Sequence, residues 1–156
     1  MMCIRPPLFS VQGRIDAWRF LAYFMVYTIL YAIALLLSAW ILIPLFSTRP
    51  DLTITSLPLL VVLLLYVCSF LPQHIPARRR LYDLGKNGKW SLLLLLPIIN
   101  IGFVVYLLFA KGEELENKFG KRPCPSPVSI KLFCILVPVL IIVIIKIAIN
   151  MWKASI

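Results

Sequence analysis

Long apolar runs alternate with short polar connections along the chain. Four stretches, residues 20–48, 52–77, 90–110 and 132–145, contain no Asp, Glu, Lys or Arg. A hydrocarbon core about 30 Å thick needs roughly 20 apolar residues as helix, so the pattern predicts membrane helices. The first run, from residue 20 to about 46, exceeds that length, with Trp18 and Trp40 spaced for opposite interfaces and Pro44 near its exit. The second is expected over about 57–76. Ser56 before Leu57 and Pro58 reads as a helix start, and Pro72 and Pro76 then kink or end the helix. The third, residues 90–110, is interrupted by Pro97, Asn100 and Gly102. The fourth follows a Ser126-Pro127 cap and runs from about 128 to 152, with Pro138 and Lys146 inside. Barrel strands are excluded because residues 92–96 do not alternate polar with apolar. The expected fold is all-α: a polytopic transmembrane helical bundle of four hydrophobic segments, in a single integral membrane domain over residues 1–156. The first apolar run is about twice a signal-peptide h-region, and no A-x-A-like site follows it, so a cleaved leader is not expected.

Composition agrees. The chain has 156 residues, 62% hydrophobic and 14% charged. All 22 charges fall in the 66 residues outside the four runs. That crowding excludes a soluble globular domain, a coiled coil and a disordered chain. Charge also bears on topology, because Lys and Arg in short loops mark the cytoplasmic side. Four full spans with the N-terminus inside place 9 basic residues inside and 6 outside. If residues 90–110 instead form a re-entrant hairpin turning near 97–102, the division becomes 13 inside and 2 outside. Charge favours the hairpin. Against it, an irregular turn in lipid must be buried in protein, and the third run is just long enough to cross. Four spans are therefore the expectation, with the N-terminus cytoplasmic.

Two polar connections carry patterns. Residues 79–90 read R-R-L-Y-D-L-G-K-N-G-K-W, and residues 112–123 read G-E-E-L-E-N-K-F-G-K-R-P. With Gly13-Arg14-Ile15 ahead of the first run, the set resembles the domain of unknown function 805 family, the YhaH/YhaI-like small bacterial inner-membrane proteins. The resemblance covers residues 13–123. Tyr82, Asn87, Lys89, Leu115 and Arg122 stand where the family pattern has His, Ser, Trp, Gly and Asp. The resemblance implies a bacterial inner (plasma) membrane location but no biochemical activity. The helix at about 127–152 looks like an addition to the shorter family members.

The candidate contact residues come from these motifs: Arg14, Arg78, Arg79, Arg80, Asp83, Asn117, Phe119 and Gly120. The three arginines following an apolar run orient the helix and meet anionic headgroups; the sharper alternative is a phosphate site built from guanidinium forks. Asp83 lies three and four residues after Arg80 and Arg79, the spacing of a local ion pair or cap. Gly85 and Gly88 around Lys86-Asn87 read as a tight turn. Asn117, Phe119 and Gly120 read as a structured polar loop. Lys146 is within snorkelling reach of the helix end. His74 is an interfacial residue. Cys3, Cys68, Cys124 and Cys134 make no C-x-x-C, and Cys124 has no obvious partner. No catalytic constellation, metal site or cofactor motif is present in the sequence. The leading expectation is a non-enzymatic accessory or assembly partner, binding the bilayer, anionic phospholipid headgroups and a membrane protein partner or second copy, and not nucleic acid. The alternatives are a small oligomeric transporter or channel, and an anionic-lipid or lipid-phosphate binder or enzyme.

Overall fold

The structure is a computed structural model and describes residues 12–48 and 57–154. Among the described residues, four α-helices and one 3-10 helix follow in the order α1 (Ala17–Thr48), α2 (Leu57–Asp83), the 3-10 helix (Gly88–Leu95), α3 (Pro97–Phe109) and α4 (Val128–Ala154). Among the described residues, two helices are long and apolar enough to cross a membrane, over Ala17–Ile41 and Val128–Lys153. Ser56, Arg5, Arg49 and Cys3 lie outside the described residues.

The second helix departs from expectation. It does not end at Pro72 or Pro76 but runs on to Asp83. The two prolines are four residues apart, so they remove donors from one column of the hydrogen-bond ladder and leave the other columns intact. The helix stops where Gly85 adopts φ +67°. There the Lys86 amide donates to the Leu81 carbonyl (2.9 Å) and the Gly85 amide to the Tyr82 carbonyl (3.2 Å). This is the paired closure that a left-handed glycine gives a helix C-terminus.

The third apolar run doubles back. Asn87 caps the 3-10 helix by accepting from the Lys89 amide. Buried residues then recur every third position, at Gly88, Ser91 and Leu94, because side chains at i and i+3 eclipse in a 3-10 helix. Ser91 Oγ meets His74 Nδ1 at 2.6 Å, which fixes this row against α2 one turn above Arg78. The chain reverses at Leu96, and Pro97 opens α3. Both ends of the hairpin therefore lie at the C-terminal end of α2: Gly88 beside Arg78, and Ala110, whose carbonyl accepts from Arg80. The reversal makes some of its own bonds. Leu96 donates to Leu93, Asn100 donates to Leu96, and Pro97 has no N–H to satisfy. Asn100 and Gly102, expected in the break, lie inside α3.

The hydrophobic core sits at this same end, formed by Ile15, Phe20, Ala77, Leu81, Leu84, Leu94, Phe103, Val104 and Leu107. Helix α4 packs only on α1 among the elements described.

Candidate functional site

The polar residues gather into one cap over that core. Its centre is Asp83, 4% exposed. Arg80 reaches it from one turn earlier in α2, and Arg14 reaches it from 69 residues away. Arg14 Nε donates to Asp83 Oδ1 at 3.1 Å. Its Nη1 donates to the carbonyls of Leu115 (2.7 Å) and Gly120 (3.3 Å), and its Nη2 to that of Glu113. Arg80 donates to Asp83 and to the carbonyls of Leu107 (2.8 Å) and Ala110 (2.6 Å). These carbonyls end α3 or form the loop after it, and such groups have no intrahelical partner. Two guanidiniums thus hold the last turn of α3 and the following loop onto the end of α2. Burial pushes the Asp83 carboxyl above its usual range, while Arg80 and Arg14 act to lower it.

The loop is closed by its own motif. The Asn117 side chain accepts from the Phe119 amide (3.0 Å) and donates to the Tyr82 carbonyl (2.9 Å) and to Glu113 Oε2 (2.6 Å). Phe119 stacks on Tyr82, with ring centroids 4.2 Å apart and planes at 19°. Arg78 also lies over the Tyr82 ring, its Nε bonded to the Tyr82 hydroxyl and its guanidinium 5.5 Å from the ring centroid. Gly112 is required by close approach: a Cβ there would lie 2.1 Å from Asp83 Oδ2.

All eight candidate residues meet in this cap except Arg79, which is buried on the α1 side of α2, with its carbonyl accepting from the Ile15 amide at 3.4 Å. The ion pair expected of Asp83 forms with Arg80 and, across the sequence, Arg14. Two further residues, Asp16 and Arg19, were not singled out from the sequence. Asp16 accepts from Arg19 (3.0 Å) and from the Ser126 amide (3.2 Å) and hydroxyl. Arg19 also donates to the carbonyls of Cys124 and Pro125. Ser126 therefore ties α4 to α1 through Asp16, where a helix cap was expected. The signal for Asp16 was present, as the one acid before the first apolar run. Cys124 is disulfide-bonded, contrary to the expectation that it lacks a partner, while Cys68 and Cys134 are free thiols.

A cavity of about 250 Å³ opens beside the Arg80–Asp83 pair, lined by Asp16, Lys111, Glu114, Arg122 and Lys131 among others. Its rim carries both signs of charge, and Lys111 and Glu114 already pair there at 2.9 Å. Among the described residues, no three His, Cys, Asp or Glu side chains gather as a metal site.

No solved structure matches this chain. Two curated proteins do: the inner membrane protein YhaI of Escherichia coli strain K12 and that of strain O157:H7. Each is 39% identical to it over 70 residues, which is 44% of this chain. The match spans 57% of those relatives' own length. A family model described as "Protein of unknown function (DUF805)" matches residues 8–121, which contain Arg14, Arg80, Asp83, Asn117 and their closures. By that match, over most of its length, the chain belongs to the DUF805 family of membrane proteins.

Proposed function

We propose that this protein is a non-enzymatic accessory protein of the bacterial inner membrane, in which the family motifs form a structural clamp and the lipid-facing and partner-facing surfaces do the work. One observation carries the reading. Arg14 is 3% exposed and spends its guanidinium on Asp83 and three loop carbonyls. A charge so committed holds a fold together: four of its five N–H groups are spent inside the protein.

The clamp also supports a topology. Asp16 and Ser126 start α1 and α4 side by side, and α2 ends at the same cap. Helices α1 and α4 therefore leave the cap, α2 returns to it, and the 3-10 helix with α3 enters from it and comes back. Eight residues of 3-10 helix and 13 of α-helix reach roughly 16–20 Å, well short of a crossing. The tryptophans agree. Trp18 and Trp90 sit at the cap level. Trp40 and Trp152 lie 22 and 24 residues beyond the starts of their helices' apolar faces, roughly 33–36 Å away, where a second aromatic belt belongs. This gives three crossings and a re-entrant hairpin. The 13-to-2 division of basic residues supports a cytoplasmic cap. The Cys124 disulfide pulls the other way, because such bonds are rare in the cytoplasm. The charge asymmetry involves many more groups and is the stronger influence on orientation.

The test of function is purification in mild detergent with mass spectrometry of bound proteins. A stable stoichiometric partner is expected. Solute flux through liposomes that is lost on Asn100→Ala or Pro97→Ala would replace this reading with a transporter. Topology is checked separately by reporter fusions. Fusions at Lys86 and Lys121 should report the same side and one at Lys153 the opposite side; opposite sides for the first two would restore four spans.

A further inference from the structure

The hairpin leaves two grooves that meet at Trp90. Its 3-10 helix turns one row of residues inward and leaves two more accessible: Lys89, Leu92 and Leu95 in one, exposed throughout, and Trp90, Leu93 and the following Leu96 in the other, where only Leu93 is half-buried against the core. A groove of about 580 Å³ runs down these rows, with Asn87 and Lys89 at its polar end and the leucines below. A second, of about 270 Å³, opens on the other flank of Trp90, between Leu81, Phe103 and Tyr106, with Lys86 at its polar end. Trp90 is 57% exposed and forms a wall of both.

The chemistry of the two grooves is the same. Each has a lysine where the polar turn ends and an apolar trough descending along the hairpin, and neither is lined by an acid. Glu113, which lies over Gly85 nearby, has Asn117 as its partner. We propose that the paired grooves bind one anionic phospholipid. Its phosphate lies between Lys86 and Lys89, and its two acyl chains run down either side of the Trp90 indole. The order cation, indole, then leucines and aromatics is that of a phospholipid read from headgroup to tail. A soluble anion would use the lysines and leave both troughs empty; an apolar peptide would leave the lysines unanswered. This assignment rests on the hairpin's place in the membrane proposed above, and it replaces the arginines at 78–80 as the headgroup contacts, since Arg79 and Arg80 are buried.

The test uses the full chain with Trp18→Phe, Trp40→Phe and Trp152→Phe, so that Trp90 alone fluoresces, in vesicles containing brominated phosphatidylglycerol or brominated phosphatidylcholine at equal mole fraction. Stronger quenching by the phosphatidylglycerol is expected. Lys86→Gln with Lys89→Gln should raise the half-quenching mole fraction roughly thirtyfold, in line with the pull of two lysines on an anionic headgroup at about 1 kcal/mol each. Lys118→Gln with Lys121→Gln, exposed on the same cap, should leave it unchanged. Equal quenching by the two lipids, or equal effects of the two lysine pairs, overturns the site and leaves only diffuse attraction. Absence of quenching by either lipid overturns the membrane placement of the hairpin itself.

Discussion

The end of α2 and the second half of α4 show opposite habits. At the end of α2, Ala77, Arg79, Arg80, Leu81, Asp83 and Leu84 are all at most 8% exposed. In α4, residues 139–153 are exposed at every position. The most buried large side chains include an arginine, while isoleucines lie open. In water this would be inside out. In lipid it follows from the solvent, because hydrocarbon gives apolar side chains no reason to leave it, while backbone and charged groups must find partners within the protein. Close packing is therefore concentrated where polar groups collect, and the apolar helices need only be long enough.

The sharpest way to break this contrast is to remove the centre of the cap. Asp83→Ala leaves two buried guanidiniums facing each other, and stripping one partner from a buried ionic cluster costs about 3–5 kcal/mol. A drop in the thermal midpoint of the detergent-solubilised protein should show it. Asp83→Asn, which keeps the shape and loses the charge, should do nearly as much harm. A protein that melts normally with either change would mean that the cap is an ornament on an independently stable bundle.

Arg14→Lys is the next probe. It keeps the charge but loses the planar fork, and with it the three bonds to the carbonyls of Glu113, Leu115 and Gly120. At about 1 kcal/mol for each net hydrogen bond, a loss of about 2–3 kcal/mol is expected. It should fall unevenly. Hydrogen exchange should speed up across residues 111–123 while the interiors of α1 and α4 keep their protection. Uniform loosening would show that the clamp and the helices form one cooperative unit.

These two positions also show what the sequence made legible. Apolar length located α1 and α4 well, since solvent alone dictates it. The motifs marked Arg14, Asp83 and Asn117 as belonging together, but not how they meet. Asp83 had two arginines at helical spacing, Arg79 and Arg80, and only the rotation of α2 against α1 decides which one faces it. The third run was read by its length, which does not tell one continuous α-helix from the 3-10 helix and α3 that the structure has there. At the reversal the Leu96 amide donates to Leu93, the Asn100 amide to Leu96, and Pro97 has no N–H, so a re-entrant turn here would leave fewer donors to bury than an open loop. Under the re-entrant topology proposed above, the uneven division of basic residues is the stronger sequence signal.

Two glycines compare the regions at smaller scale. Gly112 lies against the Asp83–Arg80 pair, so Gly112→Ala must displace a charged contact at a cost of about 1–3 kcal/mol. Gly102 lies inside α3 with open space where its Cβ would stand. Gly102→Ala should be neutral, or stabilising by up to about 1 kcal/mol through helix propensity. Opposite signs for the same chemical change, read as shifts in melting temperature, are the expected result; two losses of equal size would mean that α3 is as tightly enclosed as the cap.

The smallest effect is expected in α4. Ile142 is 63% exposed, midway along a helix that packs only on α1 among the described elements. If that face meets acyl chains, Ile142→Ala exchanges one lipid-solvated side chain for a smaller one, leaves no cavity in the protein, and should shift stability by less than about 0.5 kcal/mol. The surrounding run from Leu132 to Ile145 has no charged residue and stays apolar enough to insert. The same substitution therefore reports on what covers α4. A loss approaching that of Gly112→Ala would require Ile142 to sit in a packed protein interface, since only there does truncation leave a void. It would then mark α4 as the surface through which this chain meets a partner helix, and repeating the measurement across a range of protein-to-detergent ratios would tell a second copy, whose effect depends on concentration, from the lipid.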